Sequence, residues 1–136
     1  MSARILVVDD EPDMQALVLQ KFRHQIRDGT WEFLFAQDGV EALAALEVNR
    51  NVDLVVSDIN MPRMDGLELL QQIRTVDPDV PFLMITGTAD IASVGEAKAA
   101  GVTAYIKKPF SADGLKSKLT IIGRIIKHRQ GAEMSV

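Results

Sequence analysis

Short apolar runs recur at residues 4–8, 31–37, 53–57, 81–86 and 103–107, each rich in Val, Ile, Leu or Phe. Runs this short, and too apolar to be exposed, predict the strands of one buried sheet. Longer segments fill the gaps, with apolar positions recurring every three or four residues as in helices. Strand and helix alternate, so the connections are crossovers and the sheet is parallel.

The helices carry their own punctuation. The first follows Pro12, a residue suited to a first turn, puts Met14, Leu17, Val18 and Phe22 on one face, and ends at Gly29. The second and third start at Asp38 and Asp65, each three residues ahead of a glutamate, Glu41 or Glu68, as in a capping box. Leu43 and Leu46 give the second its apolar side, and Leu69, Leu70 and Ile73 the third, which Asp77-Pro78 stops. The fourth, over 90–100, holds Gly95, many alanines and few large apolar residues, so it buries little and is expected to be mobile. The last, over 112–128, aligns Leu115, Leu119, Ile122 and Ile126 in one stripe, with Ile121 and Ile125 in a second. The second stripe implies either a broad buried face or a surface for another chain or domain. The expected domain is 1–129, with its core in 4–119 and a flexible tail over 130–136.

A length of 136 residues suits one domain. With 47% apolar and 25% charged residues, the composition is that of a globular protein. No apolar run is long enough to cross a bilayer, and the first residues lead into a strand without a signal-peptide pattern, so a cytoplasmic setting is expected. The absence of cysteine removes disulfide and thiolate chemistry. A net charge of −4 argues against a general electrostatic grip on nucleic acid by this domain.

Polar groups then stand out by position. Asp9 and Asp10, Asp58, Thr86 and Lys108 each follow an apolar run, so the fold should deliver them to one edge of the sheet, beyond the strands' carboxyl ends, where such sheets bind ligands. Asp9, Asp10 and Asp58 together would repel one another, and a cation must offset them. A small hard divalent ion, with oxygen ligands and some retained waters, fits such a set, so Mg2+ is expected, with Mn2+ as a substitute. Taken alone, Asp9-Asp10 would read as a solvated strand end and a helix cap, and Lys108 as a surface lysine.

Four strings occur in order: Ile-Leu-Val-Val-Asp9-Asp10-Glu11-Pro12; Ser57-Asp58-Ile59-Asn60-Met61-Pro62 with Met64-Asp65-Gly66; Met84-Ile85-Thr86-Gly87; and Lys107-Lys108-Pro109-Phe110. Together they resemble the receiver domains of two-component response regulators over about residues 4–119. The resemblance implies a flavodoxin-like, doubly wound, five-stranded parallel sheet in order 2-1-3-4-5, with five surrounding helices. It implies Asp58 as phosphoacceptor, Asp10, Asp58 and the main-chain oxygen of Asn60 as metal ligands, and Asp9 as a ligand through water. It further implies Thr86 and Lys108 on the phosphoryl group, a cis bond before Pro109, and a switch in which Thr86 and its loop move while Tyr105 turns inward. Asn60 and Thr88 would tune dephosphorylation.

A sensor histidine kinase or phosphotransfer protein is the expected donor, and a small acyl phosphate a substitute. The output would be an output domain or target protein, reached through the surface of the fourth helix, fifth strand and last helix, which also offers a homodimer contact. The chain would be a signalling receiver rather than a multiple-turnover enzyme, catalysing only its own phosphorylation and dephosphorylation. Both a free-standing regulator and an amino-terminal module fit, and the apolar residues near the end of the last helix favour the module. A doubly wound phosphatase of the haloacid-dehalogenase type would want a second aspartate where Asn60 stands, and a nucleotide binder would want a glycine-rich loop after the first strand. A pseudo-receiver serving only as an interaction module is disfavoured because every motif position is filled. His24 and His128 read as surface residues, and Trp31 opens its strand at the end away from the site.

Overall fold

The five apolar runs form β1 (Ala3–Val8), β2 (Trp31–Ala36), β3 (Leu54–Asp58), β4 (Phe82–Thr86) and β5 (Ala104–Lys107), all parallel in one sheet of order β2-β1-β3-β4-β5. The computed structural model describes residues 3–49, 51–61, 63–87, 91–108 and 111–134. Helices fill every crossover: α1 (Pro12–Lys21), α2 (Arg23–Arg27), α3 (Gly39–Val48), α4 (Gly66–Val76), α5 (Ile91–Ala99) and α6 (Ala112–Met134).

Alternation along each strand explains the two layers. Ile5, Val7, Leu54, Val56, Leu83 and Ile85 pack on one face with Met14 and Val18 of α1 and with Leu115, Leu119 and Ile122 of α6. Leu6, Val8, Val55, Phe82 and Met84 pack on the other face with Ala42 of α3, Leu69, Leu70 and Ile73 of α4, and Ala97 of α5. A strand side chain points to the opposite face at each step, so a strand apolar at every position is sealed only when helices cover both faces. The sheet is therefore doubly wound, as the order of elements implies.

Two elements depart from expectation. The first helix is not continuous to Gly29: it breaks at Phe22 (φ −106°, ψ 20°), so six helices surround the sheet among the described residues rather than five. The break seats Phe22 in full burial, its ring 5.1 Å from Trp31 and 5.5 Å from Phe33. α2 then runs to Arg27, and Gly29 closes the turn at φ +74°, a conformation that glycine adopts without strain. The last helix continues past His128 to Met134.

The two predicted caps form. The carboxylates of Asp38 and Asp65 accept from the N–H groups of Glu41 (2.9 Å) and Glu68 (2.8 Å). α5 is as sparse as its sequence suggests: Ala97 is the one buried residue among its described side chains. Ile121, the first residue of the extra stripe on α6, is 58% exposed, while the side chain of Ile125 lies outside the described set. Among the described residues no helix is long and apolar enough to cross a membrane.

Candidate functional site

The strand register brings the polar residues together. Val8 pairs with Ser57, Asp58 with Ile85, and Thr86 with Lys107, so Asp9, Asp58, Thr86 and Lys108 leave four neighbouring strands at one edge. One carboxylate oxygen from each of Asp9, Asp10 and Asp58 lies within 4.8 Å of the others. Asp58 is buried, Asp9 is half-buried and Asp10 is exposed, so the cluster grades from the sheet interior to solvent.

Asp58 is held on both oxygens. Its Oδ1 accepts from the Asn60 N–H at 3.0 Å and its Oδ2 from the Lys108 ammonium at 2.6 Å. Lys108 is in turn fixed through its own N–H, which donates to the Thr86 carbonyl at 2.7 Å. Burial, the largest influence on the ammonium, favours its neutral form, but the Asp58 hydrogen bond and charge, with Asp9 and Glu11 behind them, outweigh it and raise the Lys108 pKa. Asp9 is displaced upward as well, first by burial and also by the charge of Asp58, although its Oδ1 accepts from the Glu11 N–H at 2.8 Å. Asp9 thus resists ionising beside Asp58, in the sense the sequence implied.

Thr86 is fully buried, and its Oγ1 finds no hydrogen-bond partner among the described residues. A buried hydroxyl without a partner is costly, so this donor waits for an acceptor at the same edge. The donor set suits a hard divalent ion: carboxylate oxygens at differing depths, with no thiolate or imidazole among them. A cavity of about 320 Å³ opens beside Asp9 and is lined also by Glu11, Gln37 and Glu41.

The loop after β3 is tightly bound. Gly66 donates to the Ile59 carbonyl at 3.0 Å, and a Cβ there would lie 2.4 Å from the Asp58 carbonyl oxygen, so only glycine permits this approach. Asn60 itself is exposed. Tyr105 is half-buried in the α3–α5 layer, opposite Met84 on β4, with the Lys98 ammonium 5.6 Å from its ring centroid. Pro62, Thr88 and Pro109, with the expected cis bond, lie outside the described residues.

Sequence reasoning missed three contacts. Asp38, read only as a helix cap, is also bound by Arg63, whose Nε and Nη2 both lie 2.6 Å from its Oδ2. Arg74 donates to the carbonyls of Gly101, Asp77 and Val80, tying the ends of α4 and α5 together. Lys98 reaches Tyr105. The capping-box spacing marked Asp38, but no local pattern announces its partner. His24 is exposed, its Nδ1 2.9 Å from Arg27, and far from these groups in the sequence.

Comparison with known proteins agrees with the geometry. The model of the response regulator receiver domain matches residues 5–120. The response regulator MprA of Mycobacterium bovis is 35% identical over 133 residues, covering 98% of this chain and 56% of that protein. The chemotaxis protein CheY1 of Helicobacter pylori is 36% identical over 121 residues, covering 88% of this chain and 95% of that one. A CheY-like receiver domain protein from Methanospirillum hungatei superposes with a TM-score of 0.83 at 29% identity, over 95% of this chain and 99% of its own. The chain spans about half the length of the MprA relatives it matches, 52% to 56%.

Proposed function

The chain belongs to the response regulator receiver domain family, and from that premise we propose that it is a phosphorylation-dependent switch with Asp58 as phosphoacceptor. The observation that carries this reading is the convergence of Asp58 with Asp9, Asp10 and Lys108 at one sheet edge. An Asp58 carboxylate oxygen attacks the phosphorus of a phosphohistidine, on a sensor kinase or phosphotransfer protein, or of a small acyl phosphate. The new O–P bond forms as the bond to the leaving group breaks, and the leaving group takes up a proton from solvent. Mg2+, or Mn2+ in its place, would be held by Asp10, Asp58 and the Asn60 carbonyl, with Asp9 through water, and would supply charge neutralisation and orientation.

The remaining work falls to side chains. Lys108 transfers its ammonium from the Asp58 carboxylate to a phosphoryl oxygen, and the unpartnered Thr86 hydroxyl donates to another. The pull on Thr86 then passes to Tyr105 and to the surface of α5, β5 and α6, which governs an output domain, a target protein or a second copy. The setting is cytoplasmic, and the only chemistry is phosphorylation and dephosphorylation of Asp58 itself. The test is incubation with a small acyl phosphate with and without Mg2+, followed by intact mass and size measurement. A mass gain of one phosphoryl group that requires the metal is expected; no gain under any condition refutes the reading.

A further inference from the structure

The segment between Asp58 and α4 is fastened to the head of α3 by a pair that the reaction scheme leaves unused. Asp38 is 4% exposed, one oxygen capping α3 and the other bound by the Arg63 guanidinium. Arg63 has φ +63°, a left-handed backbone that L residues seldom adopt and that persists when surrounding contacts over-determine it. The Gly39 N–H donates to the Met64 carbonyl at 3.2 Å, and a Cβ at position 39 would lie 2.6 Å from the Met64 side chain. Two further bonds, from Asn60 to Asp58 and from Gly66 to Ile59, make this segment the frame of the Asp58 carboxylate.

We infer that Arg63 is a positioning residue for the acidic site: by tying its own position and Met64 beyond Asp58 to buried Asp38 and the head of α3, it fixes Asp58 and Asn60 in the arrangement a divalent ion requires. Among the described residues Arg63 pairs with Asp38 and, at 3.8 Å, with Glu41, and not with Asp9, Asp10 or Asp58. It acts as outer partners of metal ligands do, by holding them in place. The inference rests on the proposed function, because it assumes that the acids take up a metal.

Arg63→Gly is the informative variant, since glycine accepts a positive φ without strain while the guanidinium is lost. Mn2+ alone, followed through the electron paramagnetic resonance of the free ion, should bind about tenfold more weakly, with the native fold retained by circular dichroism at the temperature of the titration. Phosphorylation by acetyl phosphate should slow in step. Arg63→Lys should recover part of the affinity. Asp38→Asn, which keeps a capping oxygen, should reproduce the loss, and the double variant should be no worse than either single one. Parent-like Mn2+ affinity in Arg63→Gly, affinity lost only where the native circular dichroism is lost too, or additive losses in the double variant each overturn the inference. A parent protein that binds no Mn2+ and takes up no phosphoryl group overturns the proposed function, and this inference with it.

Discussion

The Lys108 ammonium stands 2.6 Å from Oδ2 of Asp58, across the boundary between a buried carboxylate and solvent. This ion pair occupies the proposed acceptor's Oδ2 at the sheet edge, and it competes with any cation that approaches the same oxygen. Lys108→Met should therefore let Mn2+ bind several-fold more tightly while slowing phosphorylation about a hundredfold, because the proposed donor to the phosphoryl oxygens is gone. Titration of the ion and single-turnover mass measurement check both halves. Weaker binding, or an unaltered rate, would count against the double role.

Thr86 gives a prediction of opposite sign for stability and signalling. Its buried hydroxyl has no partner among the described residues, so Thr86→Val should stabilise the metal-free protein by about 1 kcal/mol. The midpoint should rise by roughly 3–5 °C. The same change should abolish any phosphorylation-dependent shift in the environment of Tyr105, read by its ring resonances. A lower midpoint would mean that the hydroxyl is already satisfied.

Gly66 should be the least replaceable glycine of the site. An alanine methyl would press on the Asp58 carbonyl oxygen at 2.4 Å and the Ile59 Cα at 2.9 Å, and backbone cannot yield as a side chain can. Gly66→Ala should cost about 3 kcal/mol. Gly95→Ala, where a methyl meets nothing within 4 Å, should instead stabilise α5 by about 0.5–1 kcal/mol. Chemical denaturation of both variants distinguishes the two environments.

Acid should loosen the segment beyond Asp58 through Asp38. The Glu41 N–H first, and the Arg63 guanidinium after it, hold the Asp38 carboxyl below the ordinary aspartate value of 3.8, against the opposing effect of burial. A depressed folded pKa contributes stability above 3.8 that disappears as pH falls through the folded value. The parent's thermal midpoint should therefore fall more steeply than that of Asp38→Asn between about pH 5 and pH 2. Parallel curves would show that the pair does not support the fold.

Much of this molecule was legible in its residues because the signals were periodic or terminal. Consecutive apolar residues at 54–56 required helices on both faces, and that fixed the edge to which Asp58 is delivered. Asp38 and Asp65 announced their caps by spacing. The break at Phe22 was not legible, because it depends on the rings of Trp31 and Phe33 rather than on any local breaker. Nor was the Arg63 clamp: its backbone is selected by a carboxylate 25 residues earlier, and sequence-local propensity disfavours that conformation. The last helix outran its expected end because Gly131 does not stop it.

Mapping the phosphoryl group tests the central claim most directly. The parent, phosphorylated by acetyl phosphate with Mg2+, should yield on proteolysis and mass analysis a single modified peptide with the acyl phosphate on Asp58, and Asp58→Asn should remain folded and unmodified. A phosphoryl group on any other residue of the parent, or full modification of Asp58→Asn, would contradict the account.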